Sequence, residues 1–146
     1  MKCEEIKEKF LPLVIFLLRV STGVIMTSHG WGKLHNIPQT TEFFTGLGMP
    51  APQVMVYLAI AGEFLGGLGL VVGLFTPLAA FGVFCVMAVA ITQVHWSNGL
   101  MAQNGGFEYP MTLLFVALFF IVHGAGKFSV DSLFCKKCCS QQGSCC

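Results

Sequence analysis

Three long runs of almost uninterrupted apolar residues constrain this chain more than any other feature. Residues 54–75 hold one charge, Glu63, in 22 positions. At ~1.5 Å rise per residue, a helix of that length spans the ~30 Å hydrocarbon core of a bilayer. Residues 78–96 carry no charge, and Pro77 just before them suits the first turn of a helix, where an N–H is dispensable. Residues 10–28 are interrupted only by Arg19. A fourth, shorter run covers residues 107–122, with Glu108 and Pro110 at its entry. In hydrocarbon a helix satisfies its own backbone. The sequence therefore predicts an all-α integral membrane four-helix bundle, with helices at about 10–30, 54–75, 78–96 and 107–124 in a domain covering residues 1–134. With 55% hydrophobic and 10% charged residues and a mean hydropathy of +0.76, the chain has too few charges to clothe a soluble globule.

Lys2, Lys7 and Lys9 precede the first run, as in a cleaved secretory leader. Three acids share that segment, Arg19 splits the apolar stretch and no A-x-A site follows, so the first helix is expected to stay. Four spans put both termini on one face. Six of the eight basic residues (Lys2, Lys7, Lys9, Lys127, Lys136, Lys137) lie in the terminal segments. By the positive-inside rule both termini are then cytoplasmic, as expected of a multi-pass protein of the plasma membrane, here a bacterial inner membrane. The outer loops become 30–53 and 97–106.

Five of the seven cysteines, Cys135, Cys138, Cys139, Cys145 and Cys146, crowd into the last twelve residues. In a reducing cytoplasm they are expected as thiols. Thiolates suit zinc or copper(I), but no histidine or second spaced C-x-x-C completes a standard metal site. The plainer expectation for 135–146 is a disordered, solvated cytoplasmic tail. Cys85, in the middle of the third run, reads as a small core residue.

An ionisable residue inside a membrane span is costly, so each one marks a functional candidate. Arg19 and Glu63 both fall ~14 Å along their runs, from opposite faces. A buried Arg19–Glu63 ion pair joining helices 1 and 2 is the expected arrangement. A second polar layer is expected near the outer face, where His29, His95 and Glu108 arrive on three helices, with Gln93 and Thr92 one turn inside. Two imidazoles and a carboxylate could ligate a metal, hydrogen-bond a quinone carbonyl or relay protons. Trp31, Trp96 and Tyr109 at that level read as an aromatic belt. Gly62, Gly66, Gly69 and Gly73, with Gly23 on helix 1, read as close helix packing. No P-loop, nucleophile elbow or basic nucleic-acid stripe is present, so those classes and a nucleic-acid partner are set aside.

Several ordered segments resemble the DoxX family of small membrane proteins. They are Arg19 through His29-Gly30 to Lys33-Leu34, then Gly46-Leu47-Gly48-Met49-Pro50, and Glu63-Phe64-Leu65-Gly66-Gly67 leading to Gly73-Leu74-Phe75-Thr76-Pro77. His95-Trp96-Ser97-Asn98-Gly99, Gly105-Gly106-Phe107-Glu108-Tyr109-Pro110 and Gly124 through Asp131 follow in order. The resemblance implies a four-helix bundle linked to membrane redox chemistry, since relatives include a subunit of a thiosulfate:quinone oxidoreductase and proteins associated with oxidative stress. The cysteine-rich end lies outside the family pattern. Ser129 or Asp131 reads as an interfacial cap.

The first functional expectation is a redox-associated subunit that binds a quinone-like or other small molecule in an outer-leaflet polar pocket. With no haem-attachment or flavin motif in the chain, its electrons would come through a membrane or redox protein partner. A non-enzymatic scaffold or chaperone-like partner protein is the alternative. A solute or ion pathway, which would call for a homo-oligomer, is the third.

Overall fold

The computed structural model describes residues 2–133, all of whose regular structure is helical. The expected tail, with Cys135, Cys138, Cys139, Cys145 and Cys146, lies outside the described residues. Helix α1 (Lys2–His35) runs for 34 residues, ~51 Å of rise, and so continues past the expected end near residue 30. Helix α2 (Ile37–Gly46) occupies what the sequence reads as outer loop. It starts on a proline in its first turn, and its Thr40, Thr41 and Thr45 hydroxyls bond back to carbonyls four residues earlier.

The second span, Pro52–Val72, comprises α3 (Pro52–Ile60), a π-helical segment (Ala61–Leu65) and α4 (Gly66–Val72). The third, Thr76–Asn98, comprises α5 (Thr76–Val89), a second π segment (Ala90–His95) and a 3-10 turn (Trp96–Asn98). Another 3-10 turn (Ala102–Asn104) precedes α6 (Glu108–His123). Three of the helical runs are long and apolar enough to cross a bilayer, and α6 is apolar but shorter.

Helices α1 and α4 pack antiparallel through glycine. A Cβ on Gly23 would come within 2.7 Å of the Gly67 carbonyl, and one on Gly67 within 2.5 Å of the Thr27 nitrogen. Such backbone proximity is what small residues supply where lipid provides no hydrophobic drive between helices. The main core is built on Ile15, Met26, Leu70, Val83, Leu113 and Phe120. Phe44, Met49, Val56, Ala59 and Ile60 form a second cluster beneath α2. Leu17, Leu65, Phe115 and Val122 stay exposed around the outside, as suits a surface solvated by lipid.

The expected Arg19–Glu63 pair is not formed. Arg19 is fully buried and spends its guanidinium on backbone. Nη1 donates to the Leu70 carbonyl and, at 3.2 Å, to that of Val71, while Nη2 donates to Phe128 O at 2.6 Å. The first two are terminal carbonyls of α4, free of helical partners and at the negative end of the helix dipole. Leu70 and Val71 lie seven and eight residues beyond Glu63, roughly 10–12 Å of helix rise. Close contacts of Gly23 with Gly67 and of Gly30 with Phe64 set an antiparallel register in which Arg19 lies level with the end of α4 and not with Glu63.

Asp131 completes this end of the molecule. Its carboxylate accepts from Phe75 N at 2.8 Å and Thr76 N at 2.9 Å, capping α5, and its own N–H donates to Gly73 O at 2.9 Å. Asp131 is thus the cap its sequence context implies. Gly73 adopts φ +72° in the α4–α5 turn, where a side chain would also collide with Arg19 and Ser129.

Candidate functional site: a membrane cavity with a polar end

At the opposite end of the bundle, a cavity of about 630 Å³ opens between α1, the α3 span, the α5 span and α6. Its walls are mostly apolar, with Met26, Met55, Met87 and Val86 among them, and Phe44 and Met49 form a roof beneath α2. Five polar side chains face it: His29, Lys33, Glu63, His95 and Tyr109.

Glu63 is buried and accepts from Lys33 Nζ at 2.5 Å. Lys33, expected in the outer loop, thus takes the place beside Glu63 that the sequence reading gave to Arg19. It stands one turn beyond His29, and residues four apart share a helix face. With α1 continuing to His35, both side chains turn toward the cavity. The signal was therefore present in the spacing, hidden by ending helix 1 too early. Gly30 brings the two helices together at this level, because any Cβ there would meet Phe64 at 2.7 Å or closer.

Both π segments border the cavity, the first supplying Gly62 and Glu63, the second Val94 and His95. A π bulge inserts an extra residue into a helix, re-aiming the side chains around it, and such bulges recur at functional sites. His95 Nδ1 lies 2.5 Å from the Gly105 carbonyl. A carbonyl only accepts, so Nδ1 carries the hydrogen and neutral His95 keeps Nε2 as an acceptor. The His29 and Tyr109 rings stand 6.2 Å apart between centroids. Tyr109, read as a belt residue, is thus a member of the site.

Two expected members are elsewhere. Glu108 accepts from Ala102 N at 2.7 Å and staples the loop before α6, so it does not complete a histidine–carboxylate layer. Gln93 is exposed and does not line the cavity, and Thr92 bonds back to Ala88 O at 3.0 Å. Among the described residues no three His, Cys, Asp or Glu side chains converge for a metal ion. Cys85 also departs from expectation. It is exposed at the cavity's edge and not packed in the core, because it shares a helix face with exposed Phe81 and Val89, while Val83 and Met87 face the core.

The sequence matches the DoxX family model over residues 14–96. The chain belongs to the DoxX family. An uncharacterized protein of Haemophilus influenzae is 30% identical over 134 residues, covering 89% of this chain and 97% of its own length. CatD of Bacillus subtilis, provisionally named an oxidoreductase, is 29% identical over 84% of this chain and 88% of its own length. The inner membrane protein YphA of Escherichia coli is 26% identical over 82% and 89%. No solved structure matches the chain. Apolar helices and inner-membrane relatives together make this DoxX protein a multi-pass protein of the bacterial inner membrane.

Proposed function

We propose that this DoxX protein binds a quinone-like molecule in the cavity and acts as a redox-associated membrane subunit. One observation carries the reading: a largely apolar chamber within the membrane-spanning helices, roomy enough for a substituted ring, is lined by a few polar side chains that include a buried, ion-paired Glu63. Such a combination of apolar walls and a few convergent polar groups suits a small amphipathic ligand. Lys33 and Tyr109 can donate to carbonyl oxygens, and His95 Nε2 and Glu63 can accept from hydroxyls. The donor set therefore fits both the oxidised and the reduced form of a quinone. A bound quinone supplies two-electron chemistry with uptake of two protons. The chain's residues orient the ring, exclude water with the α2 roof and hold protons at Glu63 and the histidines. Electrons come from a membrane or redox protein partner. The oxidoreductase naming of CatD supports this direction. The lysine distribution favours termini on the cytoplasmic side, which would set the cavity in the outer half of the membrane.

The test is binding of decylubiquinone to purified Glu63→Gln, His29→Ala and His95→Ala proteins that keep wild-type helical circular dichroism. Each lost contact is expected to weaken binding about tenfold, ~1.4 kcal/mol. Wild-type affinity in all three variants, or no binding to the parent protein, overturns the reading.

A further inference from the structure

The roof and walls of the cavity differ in how they are closed, and that difference assigns a route of entry. At the loop end, α2 is held down by its own buried cluster, with Phe44 and Met49 packed on Val56, Ala59 and Ile60. Between the second and third spans the closure is incomplete. The two helical runs touch at glycine: a Cβ on Gly62 would lie 2.9 Å from Gly82 O, and one on Gly82 would lie 3.4 Å from Gly62 Cα. Beyond that crossing point the backbones of α3 and α5 diverge, and only Val86 and Val94 of the third span reach the α2–α3 cluster. The residues on the two sides of the resulting cleft line the cavity and face outward at once. Leu58 is 58% exposed, Phe81 54% and Val89 44%, and Cys85 is exposed between them. All four lie within the spans Pro52–Val72 and Thr76–Asn98, so what meets them from outside is lipid.

We infer that the α3–α5 cleft is a lateral portal through which the ligand enters from the bilayer, its polar head seated at Lys33–Glu63 and its apolar tail lying past Cys85 in the acyl-chain region. The ligand class this selects is a membrane-partitioned amphiphile with a compact polar head and a hydrocarbon tail. A water-borne solute would meet the packed roof first. The inference rests on the proposed cavity reading for the identity of the head group, while the portal itself follows from the splayed helices. Cys85, at the lip, is a reporter of the route and has no chemical part in it.

The full-length protein in lipid nanodiscs is treated separately with an N-alkyl maleimide that partitions into lipid and with a sulfonated maleimide confined to water. Modification is read on the Cys85 peptide alone by mass spectrometry. The alkyl reagent is expected to modify Cys85 and the sulfonated one to leave it intact. Modification of Cys85 by the sulfonated reagent at a comparable rate overturns the portal, because the cleft would then open to water. Decylubiquinone at roughly ten times its Kd is expected to slow the alkyl reaction about tenfold, since occupancy leaves about one site in eleven open. Binding without any protection of Cys85 overturns the proposed tail path while leaving the cavity reading intact. Absence of decylubiquinone binding overturns the quinone reading, and the two maleimides still decide the portal. Leu58→Trp and Val89→Trp, which crowd the two lips of the cleft, are expected to slow decylubiquinone association about tenfold, a range over which on-rates at one interface vary. Unchanged association in both variants counts against entry at this cleft.

Discussion

Two basic residues on α1 take opposite solutions to the same problem. Arg19 has a planar, multiply donating guanidinium that can serve several carbonyls at once, and it closes the end of α4. Lys33 has a single point charge on a flexible stem and reaches into the cavity to Glu63. The sequence made all three charges visible, yet paired them wrongly, because a depth count sees side-chain charges and overlooks the unpaired backbone carbonyls at a helix end. The Lys33–Glu63 pair carries a stability prediction. Glu63 is buried while Lys33 is a quarter exposed, so removing the lysine strands a buried carboxylate, whereas replacing both with apolar residues is close to neutral. Lys33→Met alone should lower the thermal midpoint in detergent, at a cost of about 1–3 kcal/mol. Lys33→Met/Glu63→Met should recover most of that loss. A double variant as unstable as the sum of the two single ones would show that the residues do not act as a pair.

Elements differed in how readable they were. The spans were legible because hydrophobic length alone defines them, and their boundaries moved by only a few residues, apart from the extension of α1. Helix α2 was overlooked because it is too short to cross a membrane, although Ile37, Phe44 and Leu47 carry an apolar stripe behind Pro38 of the kind that marks a surface helix. The π segments left no trace in the sequence. A helix apolar on every face has no polar stripe whose phase a one-residue insertion would shift, so Glu63 and His95 came to the cavity by a bulge that periodicity cannot register. The cap on α5 was readable as a motif but not as a long-range contact: Asp131 bridges to Phe75 and Thr76 across more than fifty residues. Asp131→Ala leaves the first N–H groups of α5 without acceptors. It should destabilise the protein by about 1 kcal/mol, as loss of a helix cap does, with Asp131→Asn retaining part of that stability. Equal thermal midpoints for Asp131→Ala and the parent protein would refute the capping role.

At the scale of the whole molecule, the packing fixes relations between ends that hydropathy alone leaves statistical. Glu8 and Pro12 of α1 border the same recess as His123 and Lys127 beyond α6, and Asp131 binds the α4–α5 turn. The first part of α1, the tight turn and the segment after α6 therefore share one end, while α2 and the 97–106 loop occupy the other. Helix α6, 16 residues long, still connects the loop end to the termini end, completing an even number of crossings. Its ~24 Å rise falls short of the hydrocarbon thickness, a mismatch that local thinning or tilt of its neighbours accommodates at modest cost. What packing leaves open is which end faces the cytoplasm, and here only the lysines speak. With both termini inside, Glu42→Cys and Gln103→Cys, at exposed positions of the loop end, should react with a membrane-impermeant maleimide in intact cells whose outer membrane has been permeabilised. Lys127→Cys, exposed at the termini end, should react only after the inner membrane is disrupted. Peptide-resolved mass spectrometry separates each introduced thiol from the native ones. The reverse pattern would place the cavity in the cytoplasmic half of the membrane.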